Sequence, residues 1–157
     1  MELKIGKTKV IEIGFYAFLF LYALAIIVGA NFSVIDDHIL LSTLLSGGKW
    51  RLYIFPELGR FFPLNGYEYN ILSNISVSPS FFYSYNAVQF IIFCFLMYKL
   101  LLDLLGGKWK LTSILVILAF IFTPGFTTAW FRLFVGERNV IFFLTVFIFT
   151  FLRFQSH

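Results

Sequence analysis

The chain has 157 residues, of which 60% are hydrophobic, 22% aromatic and 13% charged, with a formal charge of +4. One small domain cannot bury that much apolar surface, so its solvent is lipid. A lone Cys94 excludes a disulfide scaffold and disfavours a zinc site, 23 Phe exclude a disordered chain, and twelve Lys and Arg scattered between apolar runs set nucleic acid aside as a partner.

Residues 13–35 form an uncharged run longer than the roughly 20 residues that cross about 30 Å of hydrocarbon. They predict a first span at about residues 10–30. A signal peptide is the rival, with Lys4, Lys7 and Lys9 as its basic start, but this apolar run exceeds the usual signal core. A second span is predicted at about 81–105, with Lys99 snorkelling and Asp103 at the interface. Gly106-Gly107-Lys108-Trp109-Lys110 then makes a tight basic turn. The third span, about 111–131, contains Pro124-Gly125, which predicts a kink or a helix end near Thr123. The last uncharged run, 139–152, rises only about 21 Å as a helix, short for a fourth span at about 139–153. The expected fold class is an all-α polytopic membrane protein, one membrane domain over residues 1–157.

Orientation follows from the basic residues near the span ends. With the N-terminus cytoplasmic, seven Lys and Arg fall inside and five outside, while Asp36, Asp37, Glu57, Glu68 and Glu137 all lie in outer loops at about 31–80 and 124–138. The expectation is a multi-pass protein of a bacterial-type cytoplasmic membrane whose chemistry faces outward.

The first outer loop opens with Ser33-Val34-Ile35-Asp36, a capping-box pattern, and Gly47-Gly48 supplies a stop, so a juxtamembrane helix is predicted between them. On a helical wheel Val34, Leu40, Leu41, Leu44 and Leu45 share an arc, which would lay an amphipathic helix on the membrane surface. Asp36 has a capping explanation. Asp37 falls inside the apolar arc, where an idle carboxylate is costly, so it is a candidate general base or metal ligand. His38 is the adjoining candidate ligand. The remaining loop mixes aromatics, turn residues and charges, either resting on the bilayer or covering a substrate whose phosphate meets Arg60. In the second outer loop, either Glu137, Arg138 and Asn139 form a polar turn opening the last helix beside an aromatic belt, or Glu137 faces the Asp36-Asp37 pair, where two carboxylate sites with nearby arginines such as Arg132 and Arg138 would hold a divalent cation bridging a phosphate.

This arrangement resembles the N-terminal part of the GT-C membrane glycosyltransferases. The residues that carry the likeness are the basic N-terminus, one span, Ser33-Val34-Ile35-Asp36-Asp37-His38 opening a helix in a large outer loop, and Gly136-Glu137-Arg138-Asn139 in the next one. The resemblance implies Asp36 or Asp37 as base, Glu137 as the second-loop acid, Arg132 or Arg138 as a phosphate contact, and a sugar donor on polyprenyl phosphate or diphosphate. The acceptor would be a glycan, a lipid or a protein. Such enzymes usually have more spans, so a truncated or split member, inactive alone, is the expectation.

Two rival classes remain open. A small flippase or transporter of lipid-linked sugars would need polar residues along its spans, and Glu12, Lys99 and Asp103 lie near span ends. An assembly subunit would present small-residue packing faces, and no G-x-x-x-G occurs in a span. Walker-type and G-x-G-x-x-G loops are absent, which disfavours nucleotide cofactors.

Overall fold

The computed structural model describes residues 6–31, 36–49, 53–55, 60–62, 66–133 and 135–155, with the side chains of residues 7, 36, 39, 53–55 and 60–62 left out of that description. The elements in chain order are α1 (Lys7–Val28), α2 (Asp36–Leu45), β1 (Tyr53–Phe55), β2 (Arg60–Phe62), α3 (Tyr67–Leu72), α4 (Pro79–Leu104), α5 (Lys110–Ile121), α6 (Pro124–Trp130) and α7 (Gly136–Gln155). The chain is predominantly helical, as expected.

Among the described residues two helices are long and apolar enough to cross a membrane, within α1 and α4, and a third crossing is counted if α5 and α6 together form one broken span. The chain is accordingly a membrane protein. The kink expected at Pro124 is present: α5 stops at Ile121, and α6 starts at Pro124 with its axis turned by 75°. Thr123 makes the break orderly, its hydroxyl accepting from the Phe126 N–H at 3.4 Å and donating to the Phe120 carbonyl at 2.8 Å. The short apolar run at the C-terminal end corresponds to a longer helix than expected. α7 has 20 residues because Gly136-Glu137-Arg138 and Arg153-Phe154-Gln155 join the run at its two ends.

α4 is the central helix, packed against α1, α5, α6 and α7. Its N-terminus is set by Ser78, whose side chain accepts from the Phe81 N–H, with Pro79 in the first turn. α1 buries Phe15, Leu19, Ala23 and Ile26, spaced three and four apart so that they line one face. The opposite face stays exposed, with Leu21 at 63% and Val28 at 85%, as suits a surface bathed in acyl chains. Phe90 and Phe93 of α4 meet Phe126 and Trp130 of α6 at ring-centroid separations of 5.7–6.1 Å, an aromatic layer across the middle of the bundle.

The bundle has two polar ends. At one, Glu12 accepts from Tyr98 at 2.7 Å and pairs with Lys110 at 2.9 Å, while Arg153 meets Asp103 at 3.2 Å. Gly106 and Gly107, with φ of +65° and +76°, provide the left-handed turn that lets α5 return from there. At the other end α2, α3, the start of α4 and the start of α7 converge.

α2 ends at Leu45, and Gly47 just beyond it has a φ of +75° that suits the expected stop. The cap expected at Ser33 lies outside the described residues. Asp37, Leu40 and Leu44 are buried on one face, but Leu45, expected on that face, is 60% exposed. The loop expected to rest on the bilayer contains a short antiparallel hairpin that pairs Tyr53 with Phe62 and Phe55 with Arg60. Its cause is visible in the residue types, since two aromatic-rich triplets flank Pro56-Glu57-Leu58-Gly59.

Candidate functional site

Seven polar or charged residues are buried among the described residues, and five of them, Asp37, Asn86, Gln89, Arg138 and Asn139, gather at the α2–α7 end. Tyr69 and Tyr83 are buried among them. A polar cluster of this size inside an apolar bundle is stable only if its members satisfy one another. Much of what they satisfy is the backbone of the α6–α7 connection.

The Arg132–Leu133 peptide group is gripped on both of its polar atoms. Arg138 Nη1 donates to the Arg132 carbonyl at 2.8 Å, and the Leu133 N–H donates to Asp37 Oδ1 at 3.2 Å. A cation thus lies on the oxygen and an anion on the N–H of the same amide, which polarises it favourably and partly compensates two charges that are each only 1% exposed. Asn86 Nδ2 donates to the Arg132 carbonyl as well, at 3.2 Å. Tyr69 Oη accepts from Arg138 Nη2 at 2.8 Å and lies 2.9 Å from the Leu133 carbonyl, to which it donates. Burial pushes the Tyr69 phenol well above its ordinary range, so it remains a donor.

Tyr83 holds the other oxygen of Asp37. Its hydroxyl lies 3.4 Å from Asp37 Oδ2, 3.0 Å from the Asn31 carbonyl and 3.1 Å from the Phe131 carbonyl. One phenolic proton serves one of these acceptors at a time. The bond to Asp37 is the longest of the three.

Further out, Arg138 faces Glu68 at 3.7 Å, and Asn139 Nδ2 donates to Glu68 Oε1 at 2.8 Å. Gln89 donates to the Tyr85 hydroxyl at 3.0 Å. A cation in the first turn of a helix opposes the helix dipole. Arg138 is nevertheless kept there, because its guanidinium reaches a phenol, a carbonyl and a carboxylate.

The sequence-derived candidates divide accordingly. Asp37 and Arg138, 101 positions apart, are brought into one network, and the buried position expected for Asp37 is observed. Arg132 enters the network through its carbonyl, while the residue itself is exposed. His38 and Glu137 are exposed at this same end. The side chains of Asp36 and Arg60 lie outside the described residues. The second acid hydrogen-bonded into the network is Glu68. Tyr69, Tyr83, Asn86 and Gln89 were not anticipated, although Tyr83, Asn86 and Gln89, three apart within an apolar helix, mark one costly polar stripe. Among the described residues no group of three His, Cys, Asp or Glu side chains is placed to hold a metal ion.

Beside the cluster, a groove of about 580 Å³ runs between the α5–α6 pair and α7. Phe120, Phe126 and Trp130 line it on one side, with Glu137, Arg138 and Ile141 on the other. Comparisons with protein-family models, with curated proteins and with solved structures give no match.

Proposed function

We propose that the chain acts in glycosyl transfer from a polyprenyl-phosphate-linked sugar, as a GT-C-type enzyme or its N-terminal part. The Asp37 end would face outward from a bacterial-type cytoplasmic membrane, with the N-terminus in the cytoplasm. The supporting observation is that Asp37 and the Arg132–Arg138 stretch, distant in sequence, meet at one end of a membrane-embedded bundle. A buried carboxylate linked through one peptide group to the Arg138 guanidinium suits proton removal next to a phosphate.

In this reading Asp37 Oδ2 takes the proton of an acceptor hydroxyl in place of its long bond to Tyr83. The acceptor oxygen bonds to C1 of the sugar, the C1–O bond to phosphate breaks, and polyprenyl phosphate leaves with the electron pair. Exposed Arg132 meets the phosphate charge, and Glu137 borders the site. The acceptor reaches Asp37 once the segment 131–133 shifts. A fourth crossing by α7 belongs to the same proposal.

An assembly role is favoured by one specific observation, the engagement of both Asp37 oxygens in holding a loop. The transporter alternative is disfavoured, because the aromatic layer lies below the polar cluster and interrupts a polar path. A transfer assay in membranes with a radiolabelled polyprenyl-phosphate sugar separates enzyme from scaffold. Asp37→Asn keeps an acceptor for the Leu133 N–H but removes the base, so the enzyme reading expects folded protein whose turnover falls at least about 100-fold. Turnover unchanged in folded Asp37→Asn removes Asp37 as base; no turnover in any form, with the labelled lipid still photo-crosslinking to the first outer loop, marks an N-terminal part that binds without transferring, and no binding either moves the assignment to assembly.

A further inference from the structure

Toward the Glu12 end of the bundle a groove of about 350 Å³ runs between α1 and α4. Its floor is the buried Leu19, and its walls are Tyr16 and Phe20 of α1 and Ile91, Ile92 and Phe95 of α4, all exposed. Helical spacing continues each wall to a lysine. Lys9 stands seven positions before Tyr16, two turns along the same face of α1, and Lys99 four positions after Phe95, one turn along the same face of α4. The two helices are antiparallel, since Glu12 meets Tyr98 at one end and Tyr83 meets the Asn31 carbonyl at the other, so both lysines fall at the same end of the groove. The Lys99 ammonium lies 5.5 Å from the centroid of the Phe95 ring, which fixes it at the groove's rim.

The acids at this end have cations of their own. Asp103 pairs with Arg153, and Glu12, though within electrostatic reach of Lys99, commits its two oxygens to Tyr98 and Lys110. Neither Lys9 nor Lys99 forms an ion pair among the described residues. Two ammoniums at the end of an apolar groove complement a negatively charged headgroup that carries acyl chains. A zwitterionic headgroup brings a cation of its own to the same place, where the lysines repel it. We infer that the groove is a site for an anionic phospholipid, its phosphate between Lys9 and Lys99 and the upper part of one acyl chain along Leu19, Phe20, Ile91 and Ile92.

Native mass spectrometry of the full-length protein, released from micelles holding equal amounts of phosphatidylglycerol, phosphatidylethanolamine and phosphatidylcholine, identifies by mass the lipids that stay bound. The expected result is a preference of roughly fivefold for phosphatidylglycerol over either other lipid. Lys99→Gln should remove most of that preference. Lys108→Gln takes the same charge from the exposed turn beyond α4, outside the groove, and should leave the preference intact. Ile92→Phe, which fills the groove from an exposed position, should lower retention of all three lipids. Equal retention of the three overturns the assignment, as does a preference for either zwitterionic lipid. An equal loss in Lys108→Gln and Lys99→Gln overturns it too, because the attraction would then belong to the whole basic end, and so does unaltered retention in Ile92→Phe.

Discussion

Asp37 and Arg138 hold opposite atoms of one peptide group, the carboxylate on the Leu133 N–H at 3.2 Å and the guanidinium on the Arg132 carbonyl at 2.8 Å. Each compensates the other through the amide between them. Removing Arg138 would leave Glu68 and the Arg132 carbonyl without their buried cation.

Coupling between the two follows. Arg138→Gln is expected to destabilise the folded protein by about 3–5 kcal/mol, since Glu68 and the Arg132 carbonyl lose their cation. Combined with Asp37→Asn, the loss should fall short of the sum by roughly 1–2 kcal/mol. Reversible unfolding of the four proteins in bicelles measures this, and strict additivity would show that the peptide transmits nothing.

Two polar ends imply two membrane sides. With Cys94 replaced by Ser, Ser46→Cys and Glu137→Cys should react with an impermeant maleimide from one side, and Lys108→Cys from the other. Labelling of Ser46→Cys and Glu137→Cys from opposite sides would break the arrangement around Asp37 and with it the proposed site.

Alkaline pH probes Tyr69. Its phenol is raised by burial from an ordinary value of 10.0, so the unfolded chain releases this proton before the folded one. The stabilisation is complete below pH 10.0 and is lost as pH rises through that value toward the folded one, with a slope of about 1.4 kcal/mol per pH unit for this group. Tyr69→Phe lowers stability at neutral pH but should flatten the decline above pH 10.0 by that slope. An unchanged slope would mean that Tyr69 is open to solvent.

The bend between α5 and α6 depends on Thr123. Thr123→Ala should cost about 1 kcal/mol through loss of the cap on Phe126. Spin labels at Leu115→Cys and Thr128→Cys, both exposed, should report a broader distance distribution in that variant. An unaltered distribution would assign the bend to Pro124 and packing alone.

Part of this architecture was legible in the residues. Pro124-Gly125 marked the bend, because proline cannot continue a hydrogen-bonded turn. Asp37 was marked by its place among leucines on a helical wheel, and burial of Leu40 and Leu44 beside it bears that out. Tyr69 and Glu68 were not legible. They stand in a stretch read as irregular loop, and the short helix α3 that aims them is recruited by tertiary contacts beyond its own six residues.

Composition alone determined that this chain lives in lipid and where its apolar helices run, since those properties depend on local hydrophobicity and chain geometry. Only the tertiary structure decided which polar residues meet. Arg138 finds a backbone carbonyl, Asp37 a backbone N–H, and Tyr83 three competing oxygens. Every residue carries the same backbone groups, so no sequence pattern names the peptide that a buried charge will choose; packing of α4 against α6 and α7 brings the 132–133 peptide within reach.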